Sequence, residues 1–131
     1  MKYLLDTNIC ITLLNGRDKS LAKKIKFLSC DDLKLCSVVK AELLFGARNS
    51  QKIDFNLRLL QDFFAPFESL PFDDDASQFY GVVRAVLAKA GTPIGSNDLM
   101  IGSIAQTHQL TLVTRNQDEF TRIPGLAVEV W

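Results

Sequence analysis

The 131-residue chain has little of what marks a membrane, secreted or repetitive protein. It contains one tryptophan, one histidine, four prolines and seven glycines, too few for a proline-rich or glycine-rich linker. No apolar run is long enough to span a bilayer, so we expect no contact with a membrane. The first residues lack a basic segment, an apolar stretch and a cleavage site, so we also expect no secretion signal.

Charge of neither sign is in excess. Fifteen lysines and arginines balance fifteen aspartates and glutamates, so the formal net charge is zero. This composition argues against a protein that coats nucleic acid non-specifically, because such binding depends on neutralising many phosphates. The basic residues are nevertheless concentrated in RDKSLAKKIKF (17–27). We interpret this segment as a solvated helix face, with contact to RNA or to a protein partner as the alternative.

Cysteine is scarce, and its pattern is not that of a disulfide framework or a zinc site. Cys10, Cys30 and Cys36 are odd in number and show no C-x-x-C spacing. Apolar residues lie within two or three positions of each of them in the sequence. We therefore predict three reduced thiols in the core of a cytoplasmic protein.

The apolar pattern predicts an α/β fold in a single domain, residues 1–131. Hydrophobic residues make up 47% of the chain and charged residues 23%, as in ordinary globular domains. Short apolar strands alternate with helical segments, which predicts a short, mostly parallel central sheet covered by helices on both faces. Strands are predicted at 2–5, 33–36, 67–70, 111–114 and 126–130, and helices at 8–15, 18–29, 38–49 (with Ser37 as its N-cap), 52–64, 73–90 and 97–110.

The first predicted strand ends on an acid, in the sequence MKYLLDTN. Burying an ionised Asp6 costs on the order of several kcal/mol unless the charge is neutralised or hydrogen-bonded. The simplest explanation is that Asp6, Thr7 or Asn8 caps the helix that follows. However, ligands of open α/β sheets bind outside the carboxyl ends of the strands. Asp6 therefore stands where chemistry is expected.

Further acids occupy positions that are unfavourable for a charge. Glu42 is spaced to share a helix face with apolar residues. Asp98 lies near the start of a helix that is apolar around most of its circumference, and RNQDEF places Asp118 and Glu119 just after a strand. Individually, Glu42 could pair with a nearby base, Asp98 could interact with the helix dipole, and the two loop acids could be solvated.

A single divalent cation would explain these acids together. Mg²⁺ binds oxygen ligands, keeps several waters and needs only one or two direct carboxylates. Carboxylates around Mg²⁺ or Mn²⁺ suit the hydrolysis of phosphodiesters, in which the cation activates water and stabilises the leaving oxygen.

The sequence resembles the PIN-domain endoribonucleases of the VapC toxin type, found in bacterial type II toxin–antitoxin pairs. Four segments carry the resemblance, in the family's order and spacing: LLDTN (4–8), AELLFGA (41–47), VRAVLAKAGTPIGSNDLMIGSIA (83–105) and LTLVTRNQDEFTRIPGLAVEVW (110–131). The resemblance implies a PIN-like three-layer α/β/α sandwich. It also implies RNA as substrate, in particular structured RNA such as transfer RNA. A homodimer is implied as well, together with a VapB-type antitoxin whose C-terminal segment covers the groove.

The resemblance also implies roles for individual residues. Asp6 and Asp98 would bind the metal most directly, and Glu42 and Glu119 would complete the catalytic site, with Asp118 as a close rival to Glu119. Polar residues at matching positions would orient ligands or water: Thr7, Asn8, Ser37, Thr114 and Asn116. Arg84 and Arg115 are candidate contacts for RNA phosphate or the antitoxin.

Two other classes also fit part of the pattern. Phosphatases with a covalent aspartyl intermediate and receiver-type phosphoacceptors also place an aspartate after the first strand. The former typically need D-x-D, whereas this chain has Asp6-Thr7-Asn8, and the middle strand lacks the acid that a receiver domain needs. A non-catalytic PIN-like module that binds RNA or protein is the other alternative, and the intact set of acids argues against it.

Overall fold

The computed structural model of the protein describes residues 2–131, and its centre is a five-stranded sheet. The strands have the order β3-β2-β1-β4-β5, and every neighbouring pair is parallel. The predicted α/β fold is therefore confirmed, with a sheet that is parallel throughout. The strands are β1 (Tyr3–Leu5), β2 (Leu33–Cys36), β3 (Glu68–Leu70), β4 (Thr111–Val113) and β5 (Val128–Glu129).

Helices connect the parallel strands, as crossover connections require. A 3₁₀ turn at Cys30–Asp32 precedes β2. No helix within residues 2–131 has the length and apolar character needed to cross a membrane. The α-helices are α1 (Thr7–Asn15), α2 (Lys19–Lys26), α3 (Ser37–Arg48), α4 (Ile53–Phe64), α5 (Asp74–Ala90), α6 (Ser96–Thr107) and α7 (Gln117–Phe120).

Capping residues explain where several helices begin and end. Asp73 accepts a hydrogen bond from the backbone N–H of Ala76 at the start of α5. Gly16 and Gly91 end α1 and α5 with φ of 66° and 73°, a left-handed conformation that glycine adopts without steric cost. The sequence pattern placed these boundaries within about a residue, the usual spread between assignments.

Several predicted boundaries are wrong. Helix α6 ends at Thr107 and not at residue 110, because the chain leaves the helix at His108 and Gln109 is left-handed with φ of 55°. Strand β5 covers only Val128–Glu129 of the predicted 126–130. Ser37 is the first helical residue of α3, and the preceding Cys36 holds the N-cap position without a side-chain hydrogen bond. Helix α2 covers Lys19–Lys26 and is shorter than the predicted 18–29, because Asp18 caps its first turn and the chain leaves the helix at Phe27.

The core lies on both faces of β1 and β4, as expected for a parallel sheet covered by two helical layers. Leu4 and Leu5 of β1 and Leu112 and Val113 of β4 are fully buried. Helix α6 packs against this region and is apolar around most of its circumference, as predicted. Its buried residues are Leu99, Ile101, Gly102, Ser103, Ile104 and Ala105.

The cysteines are free, but only two of them lie in the core. Cys10 and Cys36 are buried, whereas Cys30 is exposed, so the prediction of a core thiol at Cys30 is wrong. Cys30 begins the 3₁₀ turn that precedes β2, and this turn lies at the surface. Burial raises the pKa of the Cys36 thiol to about 11, so Cys36 stays protonated at neutral pH.

The register between β1 and β4 brings two polar residues to one edge of the sheet. Leu5 pairs with Val113, so Asp6 and Thr114 leave the ends of neighbouring strands side by side. The backbone N–H of Asp6 donates to the Val113 carbonyl at 3.0 Å, and that of Thr114 donates to the Glu129 carbonyl at 3.0 Å. This regular pairing fixes the backbone on which the candidate site is built.

We expect Leu112→Ala to lower the free energy of unfolding by about 2–5 kcal/mol, because it leaves a cavity in the centre of the sheet. Phe27→Ala is the control, since the Phe27 side chain is 81% exposed, and should change the stability by less than about 0.5 kcal/mol. Urea denaturation measures both values. Equal losses would contradict the placement of β4 in the core.

Candidate functional site

Asp6 is a buried acid that is held by two hydrogen bonds. It is 4% exposed and occupies the N-cap position of α1. Its Oδ1 accepts a hydrogen bond from the backbone N–H of Thr7 at 2.8 Å. Its Oδ2 accepts one from the Thr114 hydroxyl at 2.7 Å. Capping and a place at the carboxyl edge of the sheet are therefore compatible roles of one side chain.

Burial and hydrogen bonding act on Asp6 in opposite directions. Removal from water raises the pKa of its carboxyl group, and the bonds from Thr114 and Thr7 lower that pKa again. The first effect is the larger, so the ionised form is less favourable here than in water. A cation placed near the carboxylate would reverse this balance.

Thr114 and Asn116 connect Asp6 to the start of α6. The Thr114 hydroxyl, which donates to Asp6, also accepts a hydrogen bond from the backbone N–H of Asn116 at 2.9 Å. The Asn116 side-chain amide in turn donates to Asp98 Oδ2 at 3.4 Å, a long contact. The loop after β4 thus holds the Asp6 and Asp98 carboxylates through neighbouring residues.

Asp98 experiences the strongest electrostatic effect in the site. Its pKa rises from 3.8 to about 7. Burial is the largest cause, followed by a hydrogen bond with Glu119 and by the charges of Asp6, Glu119 and Glu42. Since three acids from separate elements act on Asp98, the four carboxylates form one cluster of like charge.

Glu42 reaches this cluster from α3 through Thr7. The Thr7 hydroxyl donates to Glu42 Oε1 at 2.9 Å. Glu42 lines a cleft of about 480 Å³, together with Thr7, Asn8, Ile11, Ala41, Phe45 and Asn97. Phe45 lies on the same face of α3 as Glu42 and is 70% exposed. This face of the helix therefore forms a wall of the open cleft.

Asp118 and Glu119, the two candidates for the fourth acid, differ in their surroundings. Glu119 is half-buried and within hydrogen-bonding reach of Asp98. Asp118 is exposed, and its charge is not among those that raise the pKa of Asp98. Both lie on the short helix α7, whose geometry turns Glu119 towards the cluster. Which of the two serves in catalysis remains a prediction.

The two arginines singled out in the sequence have partners outside the cluster. Arg115 forms an ion pair with Asp18, and its Nε donates to the Trp131 carbonyl at 3.0 Å. Arg84 Nη1 donates to the Tyr80 hydroxyl at 2.7 Å on α5. Contact of either arginine with RNA or a partner remains a prediction.

The remaining polar candidates, Ser37 and Asn8, lie at the surface. Ser37 is exposed at the first position of α3, directly after β2, and Asn8 is exposed in the first turn of α1. The sequence pattern missed Asn97, which lines the cleft with Glu42, and Asp18, which holds Arg115. Asn97 directly precedes Asp98, and this adjacency was the only signal that could have identified it.

The donor set of the cluster suits a hard cation. All four charged groups are carboxylates, the ligands that Mg²⁺ prefers. Two ion pairs form among residues 2–131, Lys34–Glu68 and Arg115–Asp18, and neither involves any of the four carboxylates. No group of three or more His, Cys, Asp or Glu side chains in this range is placed to hold a metal ion. A site for Mg²⁺ does not require such a group, because Mg²⁺ uses one or two direct carboxylates and retains water.

The sequence model of the PIN domain family matches residues 3–126 of the chain. The chain is 35% identical over 131 residues to the tRNA(fMet)-specific endonuclease VapC of Salmonella typhimurium, covering 100% of this chain and 98% of that protein. It is 38% identical over 132 residues to ribonuclease VapC2 of Rickettsia felis, with the same coverage. The similarity therefore includes every element that contributes to the cluster.

Solved structures of toxin–antitoxin complexes have the same fold. VapBC2 from Rickettsia felis, bound to a DNA fragment from its promoter, matches with a TM-score of 0.93 and 37% identity, covering 100% of this chain and 99% of that chain. DNA-bound VapBC from Salmonella typhimurium matches with a TM-score of 0.94 and 34% identity, covering 100% and 98%.

We expect Asp98→Asn to stabilise the metal-free protein at neutral pH. In the folded state the pKa of Asp98 rises to about 7. The folded protein therefore binds the proton of this carboxyl group more tightly than the unfolded protein does. The contribution of Asp98 to stability is therefore fully present below about pH 4 and is lost as the pH rises to about 7. Asparagine does not titrate and avoids this loss.

Chemical denaturation in EDTA at pH 5 and pH 8 measures this effect, with Asp118→Asn as the control. The advantage of Asp98→Asn over the wild type should be larger at pH 8, and Asp118→Asn should show no such trend. An advantage that does not depend on pH would contradict the proposed charge repulsion.

Proposed function

This chain is a member of the PIN-domain family, and from that membership we propose that it is a metal-dependent endoribonuclease, the toxin of a type II toxin–antitoxin pair. The observation that supports the proposal is a set of hydrogen bonds through Thr7, Thr114 and Asn116 that links three carboxylates at the carboxyl edge of the sheet. These are the carboxylates of Asp6, Glu42 and Asp98, and Glu119 also acts on Asp98. Curated relatives that match along the whole chain are named as ribonucleases or endonucleases.

The proposed substrate is structured RNA, and transfer RNA is the favoured class. A relative that is 35% identical is named as specific for tRNA(fMet), which supports this choice. The cofactor is a divalent cation, since the donors are carboxylate oxygens in an open cluster. We propose Mg²⁺, with Mn²⁺ as a substitute of similar ligand preference.

Asp6 and Asp98 would hold the cation most directly, and Glu42 and Glu119 would complete its surroundings. When bound there, the cation lowers the pKa of water and offsets the negative charge of the phosphodiester. Asn116 orients Asp98 through the hydrogen bond from its amide, and Thr114 fixes Asp6 from the buried side. Thr7 serves both sides of the cleft, because its N–H binds Asp6 and its hydroxyl binds Glu42.

The proposed partner is a VapB-type antitoxin. Two solved complexes that match the full chain are VapBC assemblies, both bound to DNA. We also propose a homodimer, as expected from the family. The antitoxin would inhibit the enzyme by covering the cleft that Glu42 lines, which is open in this chain.

We expect Asp6→Asn and Asp98→Asn each to reduce Mg²⁺-dependent cleavage of transfer RNA by about 100-fold or more, because each removes a metal ligand. Glu119→Gln should cost about 10- to 100-fold, the usual range for groups that support metal ligands. Asp118→Asn is the matched control on the same helix and should remain active. Gel assays of tRNA cleavage in Mg²⁺ and in EDTA give the rates.

Circular dichroism and isothermal titration with Mn²⁺ complete the test. The wild type should show saturable heat that Asp6→Asn and Asp98→Asn lose while they remain folded. Wild-type protein that neither cleaves RNA nor binds Mn²⁺ would instead be a non-catalytic PIN-like module. Loss of activity in Asp118→Asn but not in Glu119→Gln would reverse the assignment of the fourth acid.

A further inference from the structure

Helix α2 carries a stripe of positive charge that the acid cluster does not use. Lys19, Lys23 and Lys26 follow one another at i, i+4 and i+7, so they share one face of the helix. All three side chains are exposed, while Leu21 on the opposite face is buried. None of the three forms an ion pair with an acid among residues 2–131. The stripe is therefore an uncompensated positive surface.

An ion pair connects the start of α2 to the loop after β4, whose residues hydrogen-bond the proposed metal ligands. Asp18 accepts a hydrogen bond from the backbone N–H of Leu21 at 2.9 Å, which caps α2. The same carboxylate pairs with Arg115. Arg115 stands between Thr114 and Asn116, the residues that bond Asp6 and Asp98. The first turn of α2 is therefore joined to the loop that carries Thr114 and Asn116.

A second contact holds α2 against the end of the chain. Lys24 Nζ lies 4.7 Å from the centre of the Trp131 ring, a cation–π arrangement. The Trp131 carbonyl accepts the hydrogen bond from Arg115 Nε. These two contacts define the position of α2 relative to the loop after β4 and to the end of the chain.

The charge of this surface complements a phosphate backbone. Asp18 is the only acid between Arg17 and Ser29, and its charge is already balanced by Arg115. The stripe extends over about 10 Å at the helical rise of about 1.5 Å per residue, enough to reach successive phosphates of one strand. The acid cluster cannot attract RNA by itself, since both are negative.

We propose that the lysine stripe of α2 binds phosphates of the RNA substrate away from the scissile bond. This inference rests on the proposed ribonuclease function. The stripe contributes to the capture of substrate and takes no part in the chemical step. Its removal therefore raises KM and leaves kcat unchanged.

The test compares Lys19→Gln/Lys23→Gln with Lys2→Gln/Lys52→Gln, a control that removes the same charge from exposed side chains outside α2. Binding of labelled initiator tRNA is measured in EDTA, which prevents cleavage, at 50–200 mM salt, about the range over which phosphate contacts are resolved. Cleavage kinetics in Mg²⁺ supply kcat and KM.

For the α2 variant, the slope of log K against log salt should fall by about 1.5, because each lost phosphate contact contributes about 0.7–0.9. Its KM should rise by about tenfold with kcat unchanged, while the control retains wild-type values. Identical slopes and KM values in the two variants would overturn the proposal. A fall in kcat with constant KM would do so as well.

Two further outcomes separate this inference from its alternatives. If the α2 variant binds tRNA normally but escapes inhibition by the antitoxin, the stripe serves the protein partner and the proposal is wrong. If the wild type fails to cleave RNA yet the difference in salt slope persists, the ribonuclease proposal fails while the RNA-binding surface stands.

Discussion

The fold and the candidate site both depend on one constraint, the burial of the Asp6 carboxylate at the end of β1. A charge in this position is unfavourable unless it is hydrogen-bonded or paired. The parallel pairing of Leu5 with Val113 brings the Thr114 hydroxyl to Asp6, and the start of α1 supplies the Thr7 N–H. These bonds reduce the cost but do not remove it, since the pKa of Asp6 is still raised.

Repulsion among the acids then defines what the site can do. Glu42, Asp98 and Glu119 come from three different helices, and each adds negative charge where Asp6 already stands. Such a cluster costs stability in the absence of a cation and becomes favourable when one binds. The same low exposure that raises the pKa of Asp6 strengthens its attraction to a cation. Instability and function thus have one physical origin.

Much of the fold could be predicted from the sequence, because apolar periodicity and capping residues are local signals. Gly16, Asp73 and Gly91 mark helix ends by their own backbone and side-chain preferences. Cys30 was misplaced in the core although its immediate neighbours Ser29 and Asp31 are polar, and it lies in a 3₁₀ turn at the surface. Contact of Arg115 with RNA phosphate or the antitoxin stays a prediction, but its pairing with Asp18 could not be foreseen, since the two are 97 residues apart.

The sequence by itself determined the kinds of residues available and their order: an acid after the first strand, one on α3, one at the start of α6 and two after β4. Only the tertiary structure decided which of these side chains meet. It turned Glu119 towards Asp98 and left Asp118 in solvent, and it joined the basic helix α2 to the loop after β4. The physical reason is that parallel strands bring their carboxyl ends to one edge. The meeting of carboxylates there depends on strand order and register, which no local pattern encodes.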